Sequence, residues 1–126
     1  MEPVRVLIVD DEEELVSALT ERLELRGFIA SGATSGEEAL NALGGRRCDV
    51  VVVDIRMPGL GGLELTRQIR TEHPATAVVL LTGRLSADDA EEGYAAGAFE
   101  YLAKPVPIET LERVLRAAAG RTMEEA

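Results

Sequence analysis

At 126 residues the chain has the length of one domain built around a single sizeable core. Hydrophobic residues make up 46% and charged residues 29%, a balance that excludes a disordered acidic tail and a membrane protein. The formal net charge of −10 repels a phosphate backbone, so direct binding of DNA or RNA by this segment is not expected.

No apolar run approaches the roughly 20 residues needed to cross a bilayer. The opening "MEPVRVLIVDDEEE" also lacks the basic flank and cleavage site of a signal peptide, so a cytoplasmic protein without membrane contact is expected. Cys48 is the only cysteine, which rules out an intrachain disulfide and a cysteine metal cluster and leaves it as a small buried apolar residue.

Along the chain, short β-branched runs alternate with longer helical patterns, as in βα units around a parallel sheet. The first strand is "VRVLIVD", Val4 to Asp10, followed by a helix on which Leu15, Leu19 and Leu23 recur at every fourth position until Gly27 stops it. A weaker strand, "FIASGA" from Phe28 to Ala33, leads to a second helix whose start carries Ser35 and Glu38 at capping-box spacing. The third strand is "DVVVVD", Asp49 to Asp54, and the fourth is "AVVLLT", Ala77 to Thr82. Ser86 and Asp89 nearly repeat the capping signal before the fourth helix. The fifth strand is "FEYLAK", Phe99 to Lys104; after it Ile108, Leu111, Val114, Leu115 and Ala118 form a helical stripe that Gly120 should end. Residues 1–120 read as one domain, and the remaining 121–126 as a frayed end or the start of a linker to an output domain. The glutamates Glu12 to Glu14 and Glu91 to Glu92 read as solvated helix faces, and the lone His73 as a loop residue.

In an open parallel sheet, ligands bind at the carboxyl ends of the strands. Asp10 and Asp11 end the first strand, Asp54 the third, Thr82 the fourth, and Lys104 with Pro105 the fifth. Taken singly, each has an ordinary structural role as a cap or strand-end polar group. Three carboxylates brought together would repel one another and raise their own pKa values unless a cation sat among them. An all-oxygen set suits Mg²⁺, which shares its coordination with water and phosphate. A carboxylate can attack phosphorus to form an acyl phosphate when cations neutralise the transferring oxygens, and Asp54 is the candidate nucleophile, with Lys104 and Thr82 meeting the phosphate.

The segments "VLIVDDEEE", "VVVDIRMPGLGGLEL", "VVLLTGR" and "GAFEYLAKPV", in this order and each at a strand end, resemble the receiver domain of bacterial two-component response regulators over roughly Val4 to Ala119. That resemblance implies a flavodoxin-like, doubly wound (βα)5 α/β sandwich of three layers, with a parallel five-stranded sheet in the order 2-1-3-4-5. It further implies that Asp54 accepts a phosphoryl group from a sensor histidine kinase or a phosphotransfer domain. Mg²⁺ or Mn²⁺ would be held by Asp11, Asp54 and the backbone carbonyl of Arg56, with Asp10 assisting through water, and Lys104 would contact the phosphoryl group. Thr82 would reorient toward the phosphoryl oxygens and Tyr101 would turn inward, altering a face made of the fourth helix, fifth strand and fifth helix. That face would meet an output domain or a partner protein, with a phosphorylation-dependent homodimer as a further candidate. The Lys104–Pro105 bond is expected to be cis. Such a domain is a switch rather than an enzyme, catalysing only its own phosphoryl acceptance and slow autodephosphorylation.

Two departures accompany the resemblance. Where receivers often carry "MPGMDG", this chain has "MPGLGG", placing Gly61 at the usual acidic position and suggesting a looser turn. Arg56 and Arg84 lie two residues beyond Asp54 and Thr82, at positions that tune phosphoryl lifetime in the family. Rival readings are a Mg²⁺-dependent phosphohydrolase that forms an aspartyl phosphate, a flavin carrier, and a degenerate receiver that binds proteins without phosphorylation. The hydrolase wants an acid where Arg56 stands. The flavin carrier wants a phosphate loop where "DDEEE" stands. The degenerate receiver should have lost an aspartate or the lysine.

Overall fold

The computed structural model describes residues 2–120, so the expectation of a tail or linker at 121–126 lies outside the described residues. Ten elements alternate: β1 (Arg5–Val9), α1 (Glu13–Glu24), β2 (Ile29–Ala33), α2 (Gly36–Gly45), β3 (Val50–Asp54), α3 (Gly62–Glu72), β4 (Ala77–Thr82), α4 (Ala87–Ala95), β5 (Glu100–Ala103) and α5 (Ile108–Ala118). All neighbouring strands pair in parallel, in the order β2-β1-β3-β4-β5. The doubly wound α/β fold is therefore present as the sequence suggested. No helix among the described residues is long and apolar enough to cross a membrane.

Side chains on a strand alternate between faces, and the valine runs divide accordingly. Val6, Ile8, Val50, Val52, Val79 and Leu81 point to one face and pack with Leu19 and Leu23 of α1 and Leu111 and Leu115 of α5. Leu7, Val9, Val51, Val53, Val78 and Leu80 point to the other, against Ala39 and Leu43 of α2 and Leu65 and Ile69 of α3. Burial on both faces explains why β1, β3 and β4 read as continuous apolar runs. Leu23, Leu65, Ile69, Leu111 and Leu115 are fully enclosed, and each contributes about 1.5–3 kcal/mol of transfer free energy.

The local signals take physical form as well. Ser35 Oγ accepts from the Glu38 N–H at 3.1 Å, while the Glu38 carboxylate reaches back to the Thr34 N–H at 2.5 Å, one residue before the cap itself. Ser86 Oγ accepts from the Asp89 N–H at 3.3 Å. On α1 the enclosed stripe is Val16, Leu19 and Leu23, and Leu15 is only partly covered. Strand β2 is weak because it must be thin: a Cβ on Gly32 would stand 2.2 Å from Val16 Cγ1.

The helices differ in how firmly they are seated. Helices α1, α3 and α5 each bury large aliphatic side chains, whereas the one residue α4 buries is Gly93. A Cβ there would come within 2.8 Å of Leu80 Cδ1, so α4 lies close to the sheet but with little apolar area to hold it.

Candidate phosphoacceptor and metal site

The crossover from β1 to β2 runs one way along the sheet and the later crossovers run the other, so the carboxyl ends of β1 and β3 flank the switch point where a crevice opens. Asp10 and Asp11 follow β1 and Asp54 closes β3. Carboxylate oxygens of the three lie within 4.8 Å of one another.

Each acid is positioned differently. Asp10 is nearly enclosed; its Oδ2 accepts from Lys104 Nζ at 2.8 Å and its Oδ1 from the Glu12 N–H at 2.9 Å, a local turn that leads into α1. Asp11, one residue on, is exposed. Asp54 keeps a side-chain exposure of 10%; its Oδ1 accepts from the Arg56 N–H at 3.3 Å and stands 3.7 Å from Lys104 Nζ. Lys104 is aimed inward by its main chain, whose N–H donates to the Thr82 carbonyl at 2.7 Å, and its bond to Pro105 is cis, as expected. A glycine completes the floor: a Cβ on Gly62 would lie 2.5 Å from the Asp54 carbonyl oxygen, so only glycine lets the start of α3 close on the end of β3. Gly61, the departure from the acidic pattern, caps α3 without a side-chain hydrogen bond. The turn is nevertheless closed by the Gly62 N–H on the Ile55 carbonyl at 3.2 Å.

The electrostatics follow from this packing. Burial pushes the Asp54 carboxyl above its ordinary pKa, with the charges of Asp10 and Asp11 adding to the effect, while the Arg56 N–H and Lys104 oppose it. Burial would by itself lower Lys104, but the hydrogen bond and charge of Asp10, with Asp54, outweigh it and hold the ammonium above its ordinary value. Three acids thus cluster together, and the one ammonium pairs with two of them, Asp10 and Asp54. Their oxygen-only donor set is a fit for a hard divalent cation such as Mg²⁺.

Thr82 is fully buried, and its hydroxyl both donates to the Arg84 carbonyl at 2.9 Å and accepts from the Arg84 N–H at 3.1 Å, so it faces its own loop. Tyr101 is already inside, packed in the second core cluster, with a buried hydroxyl that has no hydrogen-bond partner. The Arg84 side chain is exposed. Arg56 reaches across to Asp89 on α4, Nη2 to Oδ2 at 2.9 Å. The sequence reading did not bring Asp89 to the site, although the Ser86–Asp89 capping signal placed it in the first turn of a helix rising from the same sheet edge. Cys48 sits apart: its thiol donates to the Val50 carbonyl at 3.2 Å, and burial pushes its pKa up to about 11.

Known proteins resemble this chain in sequence and in fold. A response regulator MprA from Mycobacterium sp. (strain KMS) is 39% identical over 120 residues, covering 95% of this chain and 52% of that protein. The chain therefore spans about half the length of the curated relatives it matches. A CheY-like receiver domain from Methanospirillum hungatei superposes with a TM-score of 0.89 at 25% identity, over 99% of this chain and 100% of that one. A Burkholderia pseudomallei response regulator, solved with a phosphorylated aspartic acid, a calcium ion and citrate, superposes with a TM-score of 0.85 at 30% identity, over 93% and 69%. The family profile for the response regulator receiver domain matches residues 6–116, and the chain belongs to that family.

Proposed function

We propose that the chain is a phosphorylation-dependent switch in which Asp54 accepts a phosphoryl group from the phosphohistidine of a sensor histidine kinase or a phosphotransfer domain. The observation that carries this reading is the juxtaposition of the buried Asp54 carboxylate with Lys104 at 3.7 Å and with two further acids, all at one sheet edge. An Asp54 oxygen forms the new P–O bond as the P–N bond to the histidine breaks, and the imidazole departs with the electron pair and takes up a proton. Lys104 offsets the charge on the phosphoryl oxygens, and the rigid end of β3 holds the nucleophile in line. Asp11, Asp54 and the Arg56 carbonyl, with Asp10 through water, are the groups that would hold Mg²⁺ or Mn²⁺. When bound there, such an ion would supply charge neutralisation of the transferring oxygens.

Loss of the Thr82 bonds to Arg84, together with the position of Tyr101, conveys the new charge to the α4-β5-α5 face, where an output domain, a partner protein or a second copy is met. Residues 1–120 form the receiver, and its only chemistry is on itself: acceptance and slow hydrolysis of the phosphoryl group. The strongly acidic surface suits protein partners rather than nucleic acid or membrane, and the donor places the switch in the cytoplasm. Arg56 and Arg84 alter phosphoryl lifetime; equal hydrolysis rates after both are replaced by alanine would remove that role.

The test is the intact mass after incubation with acetyl phosphate and Mg²⁺. Wild type gains one phosphoryl group and Asp54→Asn gains none. Equal gain by both overturns the assignment of Asp54, and no gain by either favours a degenerate, phosphorylation-independent binding module.

A further inference from the structure

The Arg56–Asp89 ion pair links the loop that follows the phosphoacceptor to the first turn of α4. Three features make this more than a surface contact. The Arg56 N–H is bonded to Asp54 Oδ1, so its side chain starts beside the acceptor oxygens. Helix α4 buries one glycine and has no large apolar anchor, so a polar tether is a large share of what holds its N-terminus. Asp89 is partly covered and lies in the first turn of α4, where the helix N-terminus favours its negative charge, so losing Arg56 does not strand it.

Building on the reading of Asp54 as phosphoacceptor, we propose that Asp89 is a positioning residue for Arg56: it holds the guanidinium on α4 in the resting protein, and a phosphoryl group on Asp54 takes the guanidinium over, freeing the start of α4. The physical reason is competition between anions. A phosphoryl group offers close to two negative charges and three acceptor oxygens, against one charge and two oxygens on Asp89, and the planar guanidinium suits bidentate binding of phosphate. The single arginine cannot serve both partners at full strength. Arg84 lacks this coupling, because its main chain is tied to Thr82 and its side chain points to solvent.

The experiment follows amide hydrogen exchange across residues 87–95 in wild type, Asp89→Asn, Arg56→Ala and the double variant, with and without acetyl phosphate and Mg²⁺, and reads intact mass on the same samples. An exposed ion pair of ordinary strength predicts that either single variant exchanges about two- to fivefold faster at the start of α4 in the resting state. The double variant should be no faster than either single one. Phosphorylated wild type should reach the same rate, and Asp89→Asn should then add nothing. A purely structural role for Asp89 would leave its effect intact in the Arg56→Ala background and after phosphorylation, and that result overturns the proposal. Resting variants that exchange like wild type overturn it too. If wild type gains no phosphoryl mass, the phosphoacceptor reading and the hand-over fall together; mass gain with unchanged exchange in α4 sinks the hand-over alone.

Discussion

Replacing Asp54 by asparagine removes one charge from the acid cluster and keeps the shape of the side chain, so it separates the electrostatic cost of the site from its packing. Repulsion from Asp10 acts at no more than 4.8 Å, and at that limit and an effective dielectric of about 20 it is roughly 3.5 kcal/mol, its smallest value over the range. Asp11 is exposed, and at the same distance in water it adds about 0.9 kcal/mol. Lys104 at 3.7 Å returns about 4.5 kcal/mol, so the pairwise terms nearly cancel. Burial and the opposing Arg56 N–H bond remain; burial is the larger and disfavours the charged form, in keeping with the raised pKa. Asp54→Asn should therefore be more stable than wild type at neutral pH without divalent ions, by on the order of 1 kcal/mol, or a Tm rise of about 4 °C for a domain this size.

The sign with pH follows from the direction of the shift. A carboxyl raised in the folded state costs nothing below its unfolded pKa of about 3.9 and costs most above its folded one. The advantage of the variant should thus shrink as pH falls toward 4. Mg²⁺ should reverse the order: at a hundredfold excess over its dissociation constant wild type gains about 2.7 kcal/mol, while an uncharged amide in place of one ligand gains less. Thermal denaturation with and without Mg²⁺, at matched ionic strength, measures all of this. A variant less stable than wild type without Mg²⁺, or an equal Mg²⁺ effect on both, would refute the reasoning.

Other perturbations have equally definite outcomes. Lys104→Met leaves the enclosed Asp10 carboxylate without its cation and should cost about 1–3 kcal/mol in urea unfolding, an effect that fades above the ordinary lysine pKa as the wild-type ammonium is itself lost. Gly62→Ala drives a Cβ into the backbone at Asp54 and should cost about 1–3 kcal/mol while slowing phosphoryl acceptance. Gly61→Asp meets open space at an extended φ of −72°, so it should cap α3, add a few tenths of a kcal/mol, and leave acceptance within about twofold. Tyr101→Phe removes a buried hydroxyl that has no partner and should stabilise the resting protein by about 1 kcal/mol; a loss of stability would show that the hydroxyl is bonded.

The order of elements could be read from the chain because each core residue announces itself twice, in type and in period. Every valine of β3 is enclosed, and the spacing of Leu111 and Leu115 already marks the inner face of α5. The ends were less legible. The first strand stops at Val9 rather than Asp10: the Asp10 N–H still bonds the Ala33 carbonyl, but its side chain turns to Lys104 and opens the turn into α1. On α1, alternate spacings of Leu15 and Val16 fit a helical stripe equally well, and the close approach of Val16 to Gly32 selects Val16 for the enclosed side. Composition cannot encode that choice, since it depends on where β2 lies.

The acid cluster was legible for a different reason. Its members sit at strand ends, and a parallel sheet brings strand ends together whatever the loops do. What the sequence could not disclose is the partner each polar group selects when several are in reach. Thr82 selects its own loop, Arg56 selects Asp89, and Tyr101 goes inside without a partner at all. The family resemblance implies that Tyr101 turns inward when Thr82 reorients. Here the ring is inside while Thr82 still holds Arg84, so the position of the aromatic does not by itself report the state of the threonine. The ring packs beside Gly93, where a Cβ would stand 3.5 Å from Tyr101 Cδ2 and 2.8 Å from Leu80 Cδ1, and the unpaired hydroxyl costs that position about 1–3 kcal/mol. The elements beside the ring that can alter this seat are the β4–α4 loop and the lightly anchored α4. On the proposed reading, a charge added to Asp54 would not need to move Tyr101; it would need to change what Thr82 and Arg56 hold.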